Sequence, residues 1–181
     1  MKKLGIFYSF LFFFCNAFSQ NKIATNEGII LFEASIPAFE EVKANNNTVS
    51  CVVNTTTGEI SSLAFISEFH FKMAMMEDHF NANYLESHKF PKATFKGNIH
   101  GFNLAIIGNV PKDFILTGTL SMHGKSKIIS TIAMIQKKEK GLEIATNFKV
   151  NTSDFGIKIP KIVQYKIAET VTIKATYILL K

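Results

Sequence analysis

Between Leu63 and Met73 apolar and polar side chains alternate with a two-residue period. Phe65, Phe69, Phe71 and Met73 fall on one side, and Glu68, His70 and Lys72 on the other. A strand with one buried and one wetted face produces this pattern; a helix, with its 3.6-residue period, does not. The same period returns along the chain. Leu116, Gly118, Leu120 and Met122 oppose Thr117, Thr119 and Ser121, and Leu142, Ile144, Thr146, Phe148 and Val150 oppose Glu143, Asn147 and Lys149. Val171, Ile173, Ala175 and Tyr177 share one face of a last segment, Glu169 to Leu180. Shorter runs at 28–34, 48–54 and 95–99 also read as strands, and 127–136 reads as a strand apolar on both faces.

Turn chemistry separates these segments. Pro37 closes the first, and Asn45-Asn46-Asn47 reads as a loop. Thr55 to Glu59, Asn109 to Asp113, His123-Gly124-Lys125 and Lys137 to Gly141 supply the other short connections. One helix interrupts the series: Met76, Phe80 and Tyr84, spaced at i, i+4 and i+8, form an apolar stripe over 75–85. Proline at 91 then turns the chain back to extended backbone at Phe90. The expectation is an all-β domain of eight antiparallel strands, with a short helix inserted between strands 3 and 4. Closing eight strands into a barrel removes the exposed edges that an open sheet would keep. A β-sandwich fits the same strand pattern and is the alternative.

The first residues have another character. Met1-Lys2-Lys3 precedes an apolar run from Leu4 to Phe14, and Ala17-Phe18-Ser19 places small residues before Gln20. This is the pattern of a secretory leader, too short to span a bilayer. The expected mature chain is residues 20–181, a single exported domain with a flexible start over 20–26. Losing Lys2 and Lys3 leaves 18 lysines against 14 acids, and the chain has no arginine. Those lysines are scattered, so the reading is a solvated surface and not a nucleic-acid interface. One cysteine remains, Cys51, which alternates with Val49 and Val53 as a buried small apolar residue would. It has no partner for an internal disulfide.

No local metal or catalytic motif emerges. The five histidines, at 70, 79, 88, 100 and 123, show no H-x-H, H-x-x-H or H-E-x-x-H spacing. Glu77, Asp78 and His79 read as polar residues on a helix face. Asp154-Phe155-Gly156 stands without the other segments a kinase needs and reads as a turn. No cofactor is implied, and the chain is not expected to be an enzyme.

Three stretches carry a resemblance. The helix with D-H-F, followed by Y-L-E and F-P-x-x-T-F-x-G, occupies 75–97. The segment Leu116 to Lys127 fits L-x-G-x-L-x-x-x-G-x-x-K, and Asp154-Phe155-Gly156-Ile157 is followed by Pro160. Over about residues 63–180 the chain resembles the YceI-like family, although it lacks the tryptophan-led opening strand common there. The resemblance implies a lipocalin-like barrel in the periplasm that holds a polyisoprenoid or other long-chain lipid, for carriage or storage. Ten residues take the apolar phase of their strands and are the expected ligand-facing interior: Phe69, Phe71, Phe95, Ile99, Leu120, Met122, Ile144, Phe148, Ile173 and Tyr177. Inward glycines at 97 and 118 favour a cavity by leaving volume unfilled, the alternative being that they allow strand coiling. Without arginine a diphosphate head lacks a bidentate clamp, so a neutral head such as a quinone fits at least as well. The alternative is a barrel filled by its own side chains, acting in protein interaction or stress protection. Formation of a homodimer is left open.

Overall fold

The computed structural model describes residues 21–180; the expected leader lies outside the described residues. The strands are β1 (Lys22–Ser35), β2 (Lys43–Asn54), β3 (Glu59–Phe65), the two-residue β4 (His70–Phe71), β5 (Lys92–Ile99), β6 (Lys112–Met122), β7 (Lys125–Lys138), β8 (Gly141–Asn151) and β9 (Ile167–Leu179). All pair antiparallel in the order β1-β9-β8-β7-β6-β5-β3-β2, and β2 pairs back onto β1. Eight long strands therefore close a barrel. β4 prolongs the row of β3, pairing with Ala44 and Asn45 of β2 beyond a one-turn interruption at Ile66–Glu68.

That interruption corrects the reading of 63–73 as one strand with a single apolar face. In β3 the inward residues are Ile60, Ser62 and Ala64, while Phe65 points to solvent. The 3-10 turn buries Ile66 and shifts the phase, so Phe69 and Phe71 face inward after it, and Met73, though exposed, borders the mouth. Alternation had been read through a break that sequence period alone does not mark.

The first two strands are also longer than expected. Residues 22–26, read as a flexible start, belong to β1, and Asn45 to Asn47, read as a loop, belong to β2. Two irregularities hide the pattern. β1 spends three steps between Thr25 and Gly28 where β2 spends two, and β2 spends three between Val49 and Asn46 where β1 spends two. Each extra residue is a β-bulge that moves the inward phase by one. Asn46 consequently lands inside, fully buried. Its amide donates to the Phe65 carbonyl at 3.0 Å and its Oδ1 accepts from Thr48 N and Oγ1, so the buried polar group is satisfied.

Helix α1 (Ala74–His79) is shorter than the sequence stripe, because Phe80–Tyr84 continues it as a wider π-helical turn. Phe80 is buried there in an aromatic cluster, with ring centroids 5.4 Å from Phe32, 5.1 Å from Phe71 and 5.8 Å from Phe69. On β7, apolar on both faces, the structure selects Ile129, Ala133 and Ile135 for the core and leaves Ile128, Ile132 and Met134 outside.

The two barrel ends differ. Ile99, Ile107, Ile135 and Leu179 are fully buried at one end, where the 100–110 loop is tied to β7 by the Lys137 N–H, which donates to the Gly108 carbonyl. At the other end α1, the 36–42 connection and the 157–166 segment surround a mouth. No helix among the described residues is long and apolar enough to cross a membrane.

Candidate functional site

Behind the mouth lies an upper chamber of about 350 Å³. Its wall is mainly apolar: Phe32, Val42, Met76, Phe80, Val150 and Ile157 are among its residues. Its polar lining comes from Glu40, His79, Tyr84, Thr152 and Lys166. Burial pushes the Tyr84 hydroxyl above its ordinary pKa. A smaller lower chamber of about 100 Å³ continues along the barrel between Phe95, Leu120, Ile144, Phe148 and Tyr177. Phe69, Met122 and Ile173 border both chambers and form the waist between them.

Nine of the ten residues singled out from strand phase border this space. Phe71 lines the upper chamber; Phe95, Leu120, Ile144, Phe148 and Tyr177 line the lower; Phe69, Met122 and Ile173 line both. Ile99 does not: it pairs with Leu116 and is packed into the closed end. Sequence reasoning missed Ser62 on β3, which the phase break at Ile66 conceals, Phe32 on β1, whose 28–34 alternation was its signal, and the rim residues of the 157–166 segment. The segment's own signal was its Ile157-Lys158-Ile159 alternation.

Of the two readings of the glycines, the contacts favour a backbone role over unfilled volume. Gly97 and Gly118 face each other across β5 and β6. A Cβ on Gly118 would lie 2.5 Å from Cζ of Phe95, and one on Gly97 would lie 2.5 Å from the Thr117 carbonyl. The room they leave is taken by the Phe95 ring and by close strand approach, not by empty volume.

The three stretches that carry the family resemblance meet on the rim. Glu86 follows the helix, His123 turns the β6–β7 hairpin, and Phe155 sits in the D-F-G-I segment. His123 Nδ1 is 2.9 Å from the Phe155 carbonyl and its Nε2 is 2.9 Å from the Glu86 carboxylate. The Phe90 ring packs on the imidazole at 4.6 Å. Gly156, at φ +70°, ends the 3-10 turn Thr152–Phe155 in the left-handed region that glycine tolerates best, and Asp154 pairs with Lys127. The site is thus a blind, apolar, two-chambered pocket with a polar rim. Among the described residues no group of three or more His, Cys, Asp or Glu side chains is arranged to hold a metal ion.

A model of the YceI-like domain matches residues 19–178. No curated protein matches the sequence. Among solved structures, the chain is similar to a polyisoprenoid binding domain from Saccharophagus degradans implicated in plant cell wall breakdown. That match has 13% identity and a TM-score of 0.74, covering 89% of this chain and 98% of that one. It is also similar to BcnA of Burkholderia cenocepacia, at 16% identity and a TM-score of 0.68, over 84% of this chain and 96% of the other. The YCEI protein of Campylobacter jejuni matches at 19% identity and a TM-score of 0.59, over 79% and 88%. At these identities the likeness is one of fold.

Proposed function

The chain belongs to the YceI-like domain family, and from that premise we propose that it is an exported protein that binds an elongated apolar ligand inside its barrel. The ligand class is an isoprenoid or another long-chain lipid, held for carriage or storage. The observation that carries this reading is the blind pocket itself. An eight-stranded barrel is wide enough either to be filled by side chains or to admit one slender ligand. Here the closed end is filled, while two mainly apolar chambers stay open behind the mouth. Each methylene moved from water into such an interior gains about 0.8 kcal/mol, so a long tail would supply most of the affinity.

The role is binding and not catalysis. A similar fold in a polyisoprenoid binding domain supports the choice of ligand class. Export is supported by the basic and apolar start of the chain, and by a family match that begins at residue 19, where such a leader ends. To test the reading, the protein is purified from its native host without detergent and extracted with organic solvent, and the extract is analysed by mass spectrometry. A stoichiometric long-chain lipid is expected. An empty extract, together with no rise in Tm on adding isoprenoids or long-chain lipids, would leave the barrel without a ligand and the proposal wrong.

A further inference from the structure

The lower chamber is lined mainly by apolar side chains and holds one pair of hydroxyls in contact with each other. Ser62 Oγ and Tyr177 Oη lie 3.0 Å apart, and each residue is only 6% exposed. Two hydroxyls carry two O–H donors, and the contact between them uses one. Among the described residues neither oxygen has a second partner. Two of the other hydroxyls differ: Thr131 and Thr146, which line the same chamber, give their protons to the carbonyls of Asn147 and Ile132. One buried O–H at the Ser62–Tyr177 pair is therefore left to bond something inside the chamber.

The position of that donor is built into the fold. A Cβ on Gly28 would lie 2.6 Å from Cδ1 of Tyr177, so the ring occupies space that β1 leaves free only by having glycine there. The two bulges of β1 and β2 flank this glycine and put it on the inward phase. Ser62 is inward because β3 keeps its own phase up to the turn at Ile66.

We infer that the Ser62–Tyr177 pair is a hydrogen-bonding site for a neutral carbonyl oxygen carried on the inner end of the ligand, such as that of a ketone or quinone. This rests on the lipid-binding reading and refines it: the ligand bears an oxygen acceptor deep in the barrel as well as whatever meets the rim. A charged group does not fit, since no ionised side chain lines this chamber. Burial also pushes the Tyr177 hydroxyl well above its ordinary pKa, so it keeps its proton and stays a donor.

The test displaces a fluorescent fatty-acid probe from the barrel with two competitors of equal carbon number, a long-chain methyl ketone and an n-alkane. The wild-type protein should prefer the ketone by about tenfold, the size of one net hydrogen bond. A Ser62→Ala, Tyr177→Phe double variant should lose the preference for the ketone over the alkane, whatever its affinity for the alkane itself. The infrared carbonyl stretch of a ¹³C-labelled ketone should move to lower wavenumber in the wild type, which covers a variant that fails to fold. Equal displacement by both competitors in the wild type, an unshifted carbonyl stretch, or a preference surviving in a folded double variant would each overturn the inference. Alkane binding without preference removes this inference alone; displacement by neither competitor removes the lipid-binding reading with it.

Discussion

His123 and Glu86 face each other across the barrel rim at 2.9 Å, and both do so from left-handed backbone, at φ +50° and +44°. The opposite ring nitrogen of His123 meets the Phe155 carbonyl, which can only accept, so Nδ1 donates. One imidazole thereby ties the turn after the helix to the β6–β7 hairpin and to the D-F-G-I segment. Replacing His123 with alanine leaves a half-buried carbonyl and a carboxylate without their partner. The expected cost is about 1–3 kcal/mol, read as a lower midpoint in urea unfolding. A wild-type midpoint in His123→Ala would mean that the three segments hold together without it.

Cys51 titrates in a way that stability reports. It is fully buried between Val49 and Val53, and desolvation pushes its thiol from 9.0 up to about 12. A raised folded-state pKa means that the neutral thiol contributes stability fully below pH 9, and that this is lost as pH rises toward 12. Above pH 9 the unfolded chain releases the proton first, so stability should fall by about 1.4 kcal/mol per pH unit from this group. Cys51→Ala should unfold with a shallower alkaline slope over that window. Identical slopes in the two proteins would place the thiol outside the core, as would equal rates of thiol labelling in buffer and in denaturant.

How much of this was legible in sequence depends on where strands keep their period. β6 and β8 run without interruption, as does β9 from Val171 onward, and alternation alone puts Leu120, Ile144, Phe148, Ile173 and Tyr177 on their inward face. β1, β2 and the 59–71 region do not, because two bulges and a one-turn 3-10 helix each shift the phase by a residue. Such shifts come from pairing across strands, which a local pattern does not contain. That is why Ser62 is missed while Phe65 falls on the apolar side of the sequence pattern. Ile99 was given the right face but the wrong depth: alternation tells inside from outside, and not chamber from packed end.

Gly118 offers a direct check on close strand approach. A methyl there would sit 2.5 Å from the Lys96 carbonyl and from the Phe95 ring, and backbone cannot yield as a flexible side chain does. Gly118→Ala should therefore destabilise by about 1–3 kcal/mol, as overpacking does. Combining it with Phe95→Leu should recover only part of the loss, since the carbonyl clash remains. An unchanged Tm for Gly118→Ala would show that the two strands separate easily.

The chain start is checked by intact mass. In the native host the mature protein is expected to begin at Gln20, within a residue or two, and to fractionate with exported proteins. A mass that retains Met1 to Ser19 after expression in that host would remove export from the proposal.

The two ends of the barrel should separate stability from binding. Ile135 is fully buried and borders neither chamber, so Ile135→Ala opens a void among packed side chains and should cost about 2–5 kcal/mol. Leu120 is half-buried and already has open chamber on one side. Its side chain has fewer partners to lose, so Leu120→Ala should cost toward the lower end of that range or below it. For a ligand the order reverses. Leu120 forms wall next to Met122 at the waist, and trimming it removes apolar contact from the tail, whereas Ile135 touches no ligand space. Paired measurements of the Tm of the free protein and of its rise on adding a long-chain lipid separate these effects. Leu120→Ala should show a small fall in the first and a large loss in the second. Ile135→Ala should show a large fall in the first and a ligand-induced rise like that of the wild type. If both variants lose the ligand-induced rise in proportion to their lost stability, binding follows the fold as a whole and the chambers are not the binding site.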